Sequence, residues 1–334
     1  MVRFVVGTGR CGSTLLSKML AECKPLLSIF EFFNGLDATQ RFAPEPCDGR
    51  ALAAMLSKDE PFVTMVIARG YTVEEIVYPY DSPRSRYRRH DPVPSVVTMT
   101  LSHMTDDPDT IFDEVIAFAS SLPRQTLSQH YRQLLDWLTQ RMGKQLWIER
   151  AGSSVIYLEG LHACFPEARF LHIHRDGREA ALSMREHAIY RLAVALQYGC
   201  GERMDQATEV RATLDQTEAG RQRITELLES RPPVEYFGRY WAEQVIHGYR
   251  ALRKLNAAQY EEIRFEDLTA KPAETLRFVS KFLELPTEGD DWIARAVQLV
   301  RGLPPTRFDK FSLEEQEQLD EACRPGMQLL GRGS

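Results

Sequence analysis

The chain has 334 residues, of which 43% are apolar and 26% are charged, and its formal net charge at pH 7 is −6. This composition is typical of a globular protein and excludes a disordered or fibrous chain. Proteins whose main partner is a nucleic acid are usually basic, so the acidic balance argues against that class of partner. No apolar run approaches the ~18 residues that a membrane-spanning helix requires.

The start of the chain and its cysteines indicate the compartment. Residues 1–7 lack the apolar segment and the cleavage site of a signal peptide. The six cysteines are scattered, form no C-x-x-C pair and show no zinc spacing with histidines, so we interpret them as reduced packing residues. We expect a cytoplasmic protein without an integral membrane segment, in which residues 1–334 form one large α/β domain.

Secondary structure is predicted in chain order from hydrophobic periodicity. Val2 to Val6 is a short apolar run that predicts a buried strand, and a glycine-rich turn and a helix follow it. Phe62 to Ile67 predicts a second strand. Further along the chain, the pattern predicts helices over 109–142 (interrupted near Pro123), 154–164, from 178, 206–229, 236–255 and 272–283, and strands over 145–149, 168–174 and 260–265. Strands that alternate with helices predict a mostly parallel central sheet with helices on both faces.

The strongest local signal is the glycine-rich segment Gly7 to Thr14, which lies between the first strand and the first helix. Such a turn directs backbone N–H groups and the positive end of the helix dipole toward an anion. The segment fits the ATP-binding frame G-x-x-x-x-G-K-[ST], except that Ser13 replaces the lysine that reaches the β- and γ-phosphates. This difference argues against ATP or GTP, although a P-loop kinase or NTPase stays as an alternative. A cation, Arg10, lies inside the loop instead.

Arg10-Cys-Gly-Ser-Thr14 resembles the first motif of the sulfotransferases that use 3′-phosphoadenosine 5′-phosphosulfate (PAPS), which reads roughly [KR]-[ST]-G-[ST]-T after a strand. Cys11 departs from the usual hydroxyl residue. The resemblance implies a P-loop-like sulfotransferase architecture, PAPS as co-substrate, adenosine 3′,5′-bisphosphate (PAP) as product, and no metal. The loop residues that it assigns to donor binding are Gly9, Arg10, Cys11, Gly12, Ser13 and Thr14.

Phe170 to Ser183 is again strand, turn and helix, and it resembles the second motif of the same family. In that family an arginine at a strand end and a serine eight residues later bind the 3′-phosphate of the donor. The resemblance carries these roles to Arg175 and Ser183. A guanidinium binds phosphate through two parallel hydrogen bonds, and a 3′-phosphate distinguishes PAPS from ATP.

Two further segments add to the resemblance. Trp147-Ile-Glu-Arg150 precedes the helix that leads into the second motif, at a place where many relatives carry a strand end with a lysine. Ile263 to Leu268 is similar to an R-[YF]-E-D-L segment of the family, and we interpret its acidic residues as shaping a turn near the donor loop. The family's third donor contact comes from a loop close to the C-terminus. The candidates for that contact here are Arg301, Arg307 and Lys310.

The resemblance implies in-line attack by an acceptor hydroxyl or amine on the sulfuryl group of PAPS. Arg10 occupies the place of the family's catalytic cation, where it neutralises charge on the leaving phosphate but is a poor proton donor. A hydroxyl acceptor needs a base, and relatives use a histidine or a glutamate shortly after the first helix. The candidate here is Glu31, because its aromatic neighbours raise its pKa by partial desolvation. His90 and His103 are the alternatives.

We expect the insertion over about 71–110 to form the acceptor pocket. It carries several arginines and the tyrosines Tyr71, Tyr78, Tyr80 and Tyr87. A solvated basic loop is the alternative interpretation of the same segment. The acceptor is expected to be a small molecule, a carbohydrate or a glycolipid, and the oligomeric state is left open. A non-catalytic relative that binds the nucleotide without transfer is a further alternative.

Overall fold

The structure is a computed structural model that describes residues 1–198, 217–287 and 291–332. Cys200 and the first part of the helix predicted over 206–229 lie outside the described residues. Cys11, Cys47, Cys164 and Cys323 are free thiols. Within the described ranges, no helix combines the length and the apolar character needed to cross a membrane.

A five-stranded sheet forms the centre of the fold. Its strands are β1 (Arg3–Val6), β2 (Leu26–Phe30), β3 (Leu146–Arg150), β4 (Arg169–His174) and β5 (Tyr260–Arg264). They are ordered β2-β3-β1-β4-β5, and each neighbouring pair is parallel. The predicted parallel α/β architecture is therefore confirmed. Because all five strands run the same way, the segments that follow them meet at one edge of the sheet, where open α/β sheets bind ligands.

Helices cover both faces of the sheet. The α-helices among the described residues are α1 (Ser13–Ala21), α2 (Gly49–Leu56), α3 (Pro61–Ala68), α4 (Pro108–Ser121), α5 (Leu127–Arg141), α6 (Leu158–Cys164), α7 (Gly177–Arg185), α8 (Ala188–Tyr198), α9 (Glu218–Glu229), α10 (Val234–Leu252), α11 (Phe265–Ala270), α12 (Pro272–Leu283), α13 (Trp292–Val297) and α14 (Leu313–Leu329). Phe4 and Val6 of β1 pack into one apolar cluster, and Val5 packs into a second cluster with Leu16 of α1. This alternation is the two-residue period of a strand that is buried on both faces.

The strand predicted at Phe62 to Ile67 is wrong, because this segment lies within helix α3. Its β-branched residues favoured a strand. The Glu60 side chain accepts a hydrogen bond from the Val63 N–H over 3.0 Å, which caps the helix start. Met65, Val66 and Ile67 are buried in the main core, so tertiary packing overrides the local preference.

Strand β2 was not predicted. It begins five residues after α1 ends and has the sequence Leu-Leu-Ser-Ile-Phe. All five of its residues pair in register with β3, from Leu26 opposite Leu146 to Phe30 opposite Arg150. The strand thereby places the residue that follows it, Glu31, at the carboxyl edge of the sheet.

Candidate active site

The loop between β1 and α1 lies at the centre of the carboxyl edge. A Cβ atom on Gly12, whose φ is 93°, would lie 2.1 Å from the Phe265 ring, and one on Gly9 would lie 1.8 Å from the Tyr190 hydroxyl. Both positions therefore require glycine. The Thr8 hydroxyl oxygen is buried without a hydrogen-bond partner among the described residues, which is the state expected of a loop that is completed by a ligand.

The Cys11 side chain belongs to the core rather than to the anion site. It is fully buried in the cluster beneath α1, and burial raises the pKa of its thiol. A Cβ atom on Gly7 would lie only 2.7 Å from the Cys11 sulfur, so the sulfur packs against the start of the loop. Cys11 can therefore contact a donor only through its backbone, and the missing hydroxyl removes no ligand from the loop.

Arg10 joins the two sequence motifs. Its Nε donates a hydrogen bond to the Ser183 Oγ over 3.1 Å, so the first loop and helix α7 are in contact. A terminal nitrogen of the same guanidinium lies 2.9 Å from Glu74 and 3.5 Å from Glu75. Arg10 has a φ of 60°, a conformation that costs a non-glycine residue about 1–3 kcal/mol and often marks a functional position.

Arg175 follows β4 and is 7% exposed. Its guanidinium lies 3.6 Å from the Glu179 carboxylate and 4.9 Å from the centre of the Phe265 ring. Burial lowers its pKa, and the nearby charge of Arg307 acts in the same direction. The Glu266 carboxylate accepts the N–H of Asp176, the next residue, over 3.0 Å. The acidic segment after β5 therefore holds the turn that carries Arg175.

Glu179 binds the C-terminal loop to this site. Its carboxylate accepts the backbone N–H groups of Arg307 at 2.6 Å and Phe308 at 3.0 Å, and the Arg307 guanidinium lies 3.5 Å away. Two arginines therefore share one carboxylate, which leaves an excess of positive charge. Arg301 and Lys310, the other two candidates from this region, are exposed, and the structure does not bring them to Glu179.

Glu31 lies at the carboxyl edge, with only 2% of its surface exposed. Its two carboxylate oxygens accept the Gly152 N–H at 3.0 Å each, one of them accepts the Asn34 amide at 2.9 Å, and the other pairs with Arg150. Burial raises the pKa of Glu31, and the charge of Arg150 opposes that rise. The carboxylate thus already accepts donors on both oxygens.

Arg150 lies in a segment that resembles the family, but the sequence assigned no role to this residue. It ends β3, is 2% exposed, and donates to Ser17 at 3.1 Å and to Thr14 at 3.2 Å. Its guanidinium also pairs with Glu31 and lies 4.6 Å from the centre of the Phe30 ring. Arg150 therefore connects the predicted base to the donor loop. The available signal was a charged residue at the end of an otherwise apolar parallel strand.

The two histidine candidates differ in position. His103 stacks on Phe30 with ring centres 4.4 Å apart, and its Nε2 lies 2.8 Å from the Glu75 carbonyl oxygen. Burial lowers the pKa of His103. His90 is exposed on the insertion.

The tyrosines and arginines of the insertion are largely bound to one another and to α4. The buried Tyr78 donates to Asp109 over 2.9 Å, and its ring lies 5.0 Å from that of Tyr80. Arg86 pairs with Asp113. The geometry therefore does not support an acceptor pocket lined by these side chains. The insertion reaches the donor loop instead through Glu74 and Glu75, which pair with Arg10.

A parallel α/β sheet with a glycine-rich anion loop at its carboxyl edge defines the P-loop-like class of phosphate-binding proteins. The sequence pattern of the sulfotransferase family matches residues 4–227, and the chain belongs to that family. No curated protein sequence is significantly similar to it.

Several solved sulfotransferases resemble the chain. A sulfotransferase domain from the curacin biosynthetic pathway is 15% identical with a TM-score of 0.52, covering 99% of this chain and 97% of its own. The sulfotransferase domain of the Synechococcus PCC 7002 olefin synthase is 15% identical with a TM-score of 0.45, covering 99% and 93%. A Mycobacterium avium sulfotransferase is 17% identical with a TM-score of 0.46, covering 98% and 76%. The likeness to the curacin-pathway domain supports the fold of this chain and carries no argument about its donor or acceptor.

Proposed function

We propose that this sulfotransferase uses PAPS as its donor and transfers the sulfuryl group to a hydroxyl or amine of a small-molecule, carbohydrate or glycolipid acceptor. The observation that carries this proposal is the hydrogen bond from Arg10 to Ser183 over 3.1 Å. It brings the loop cation and the serine of the second motif into one site. A loop that bound only a nucleoside triphosphate would need neither Ser183 nor Arg175.

The charges around the loop suit a donor with two separate phosphate groups. Arg10 and the loop amides would hold the 5′-phosphate end. Arg175, Arg307 and Ser183 would hold the 3′-phosphate, because two guanidiniums that share the single carboxylate of Glu179 retain net positive charge. Helix α7 begins at Gly177, so its N-terminal dipole adds to the attraction for an anion.

The transfer itself exchanges one bond to sulfur for another. The acceptor oxygen forms a bond to sulfur while the bond from sulfur to the bridging oxygen breaks. The electron pair of that broken bond stays on the 5′-phosphate of PAP, and the acceptor proton goes to a base. Transition states of this kind are loose, so the protein contributes mainly by positioning and by stabilising charge. Arg10 would neutralise the charge that develops on the leaving phosphate.

Glu31 is the predicted base, and its environment bears on that proposal. Its oxygens already accept hydrogen bonds from Gly152 and Asn34 and pair with Arg150. Each oxygen already has two donors, Arg150 and Gly152 on one and Asn34 and Gly152 on the other, so an acceptor hydroxyl would have to displace one of them. The geometry therefore favours a role for Glu31 in fixing Arg150 and the loop.

The experiment that tests the donor compares thermal stability with PAP, AMP and Mg-ATP. A ligand that binds only the native state raises stability by RT ln(1 + [L]/Kd). We expect PAP to raise the melting temperature much more than AMP, because only PAP carries the 3′-phosphate. A shift with Mg-ATP and none with PAP would contradict the proposal and favour a kinase. Binding of PAP without turnover of PAPS would favour the non-catalytic alternative.

A further inference from the structure

Glu75 contacts three parts of the candidate site with two different groups. Its carboxylate lies 3.0 Å from the His187 Nε2 and 3.5 Å from the Arg10 guanidinium. Its backbone carbonyl lies 2.8 Å from the His103 Nε2. Although the neighbouring Glu74 also pairs with Arg10, its side chain is 71% exposed, against 18% for Glu75. The two adjacent glutamates therefore differ in how far they are built into the site.

The carboxylate of Glu75 is held in one orientation. Although burial raises the pKa of Glu75, the hydrogen bond from His187 and the charge of Arg10 lower it to about 2. The carboxylate is therefore charged at neutral pH and is a poor proton acceptor. His187 packs edge-on against Tyr190, with ring centres 5.2 Å apart. The Tyr190 hydroxyl lies so close to Gly9 that it leaves no room for a Cβ atom there. Glu75 is thus connected to the donor loop through His187 and Tyr190.

The backbone carbonyl of Glu75 determines which nitrogen of His103 carries the proton. A carbonyl oxygen can only accept, so the Nε2 of His103 must be the donor. In the neutral ring the other nitrogen, Nδ1, is then the acceptor. Burial lowers the pKa of His103, which keeps the ring neutral at pH 7. A neutral histidine held in one tautomer by a carbonyl is prepared to accept a proton.

His103 is also close to the group that was the first candidate for the base. It stacks on Phe30, the residue immediately before Glu31. Both oxygens of Glu31 already accept hydrogen bonds or ion pairs, whereas the contact of His103 with Glu75 leaves Nδ1 as an acceptor.

We propose that Glu75 is a positioning residue of the transfer site, which holds Arg10 with its carboxylate and the proton-accepting His103 with its carbonyl oxygen. This inference rests on the proposed sulfuryl transfer. During transfer, the acceptor proton moves to His103 Nδ1 as the acceptor oxygen bonds to sulfur, and the bridging-oxygen electron pair leaves with PAP. Glu75 itself gains and loses no atom.

The test begins with the wild-type protein labelled with ¹⁵N in its histidines. The His103 signals are assigned by their loss in His103→Gln. We expect a neutral ring at pH 7 with the proton on Nε2. A charged ring, or a proton on Nδ1, would overturn the proposal. This measurement needs neither an acceptor nor a folded Glu75 variant.

Turnover is then measured as PAP released from PAPS, with water and ethanol as the acceptors. We expect Glu75→Gln to lower kcat about 10–100-fold, the size of effect produced when reacting groups are displaced by about 1 Å, without raising the KM for PAPS. His103→Gln should lower kcat at least as much. The His103 signals of Glu75→Gln should still show the proton on Nε2, because this substitution keeps the backbone carbonyl of residue 75. Glu114→Gln is the matched control, because Glu114 pairs with Arg141 on α4 and α5, outside the site.

The outcomes separate this inference from the function on which it rests. If Glu75→Gln keeps the wild-type kcat, or lowers kcat no more than Glu114→Gln does, the positioning role of Glu75 is wrong. Loss of kcat together with an equal rise in KM would do the same, since that pattern indicates general disruption of the site. Wild-type protein that PAP does not stabilise against thermal unfolding would overturn the proposed function, whatever tautomer His103 adopts.

Discussion

Arg10 and Ser183 are 173 positions apart in the sequence, and the Nε of the first donates to the hydroxyl of the second over 3.1 Å. This contact exists because β1 pairs with β4 in parallel, from Arg3 opposite Arg169 to Val6 opposite His172. The segments after these two strands therefore leave the sheet side by side.

Arg175→Ala should weaken the binding of PAP by about 10–100-fold and leave the binding of AMP nearly unchanged. A hydrogen bond to a charged group contributes about 1.5–3 kcal/mol, and AMP lacks the 3′-phosphate that Arg175 would bind. Calorimetric titration of wild type and variant with both nucleotides measures the two affinities. Arg301→Ala, which removes an exposed arginine outside this cluster, is the control. An equal loss of affinity for PAP and AMP would remove the assigned role of Arg175.

Glu74→Gln should strengthen the binding of PAP by up to about fivefold. Glu74 pairs with Arg10 over 2.9 Å, so it competes with the donor for the guanidinium. Its side chain is 71% exposed, and exposed ion pairs contribute only about 0.2–1 kcal/mol. The gain should shrink as salt is added, because salt screens exposed charges. Titrations with PAP at low and high salt would measure it. Weaker binding by the variant would show that Glu74 assists the donor.

The parts of the site that the sequence predicted are those that lie within one strand-turn-helix unit. The loop after β1 and the arginine after β4 each carry their own signal, because glycine spacing and strand ends are local features. The parallel sheet was predicted for a similar reason, since strands and helices alternate along the chain. Arg10 and Ser183 could thus be assigned to one site before any contact between them was known.

The parts that the sequence did not predict depend on contacts between distant segments. Arg150 acquires its role only because β3 lies beside β2 and brings it to Glu31. Glu75 acquires its role because the insertion folds over the donor loop and meets Arg10 and His187. No spacing of residues in the sequence indicates the contact of Arg150 with Glu31 or the contacts of Glu75 with Arg10 and His187. Residue type alone is equally consistent with exposed charges in these positions.

Glu31→Gln should reduce the free energy of unfolding by roughly 3–5 kcal/mol, the cost of leaving one member of a buried ion pair without its partner. The unpaired group would be Arg150, which is 2% exposed. Denaturant unfolding of the variant measures this loss. Adding Arg150→Met should restore part of the stability, because the double variant no longer buries a charge. A Glu31→Gln protein with wild-type stability and much lower turnover would instead support Glu31 as the base.

Glu149 should make stability depend on pH between about 4.5 and about 8. Burial, together with the charge of Glu31, raises the pKa of Glu149 from 4.5 to about 8. One of its oxygens accepts the Phe33 N–H at 3.4 Å, and the other has no partner among the described residues. In this pH range the folded state holds a proton that the unfolded state has released. Stability therefore falls as pH rises through this range and levels off above it.

The measurement for Glu149 is the difference in unfolding free energy between wild type and Glu149→Gln, taken by urea titration from pH 4 to pH 9. Gln has nearly the shape of the protonated acid and does not ionise, so it removes the dependence on this group alone. We expect the wild type to lose stability relative to the variant as pH rises from about 4.5 to about 8. Glu114→Gln is the control, since the pKa of the exposed Glu114 is lowered by Arg141. This variant keeps Glu149, so the difference in stability between it and the wild type should not change from pH 4.5 to pH 8. A difference between wild type and Glu149→Gln that stays constant over the whole range would mean that Glu149 is already ionised in the folded protein.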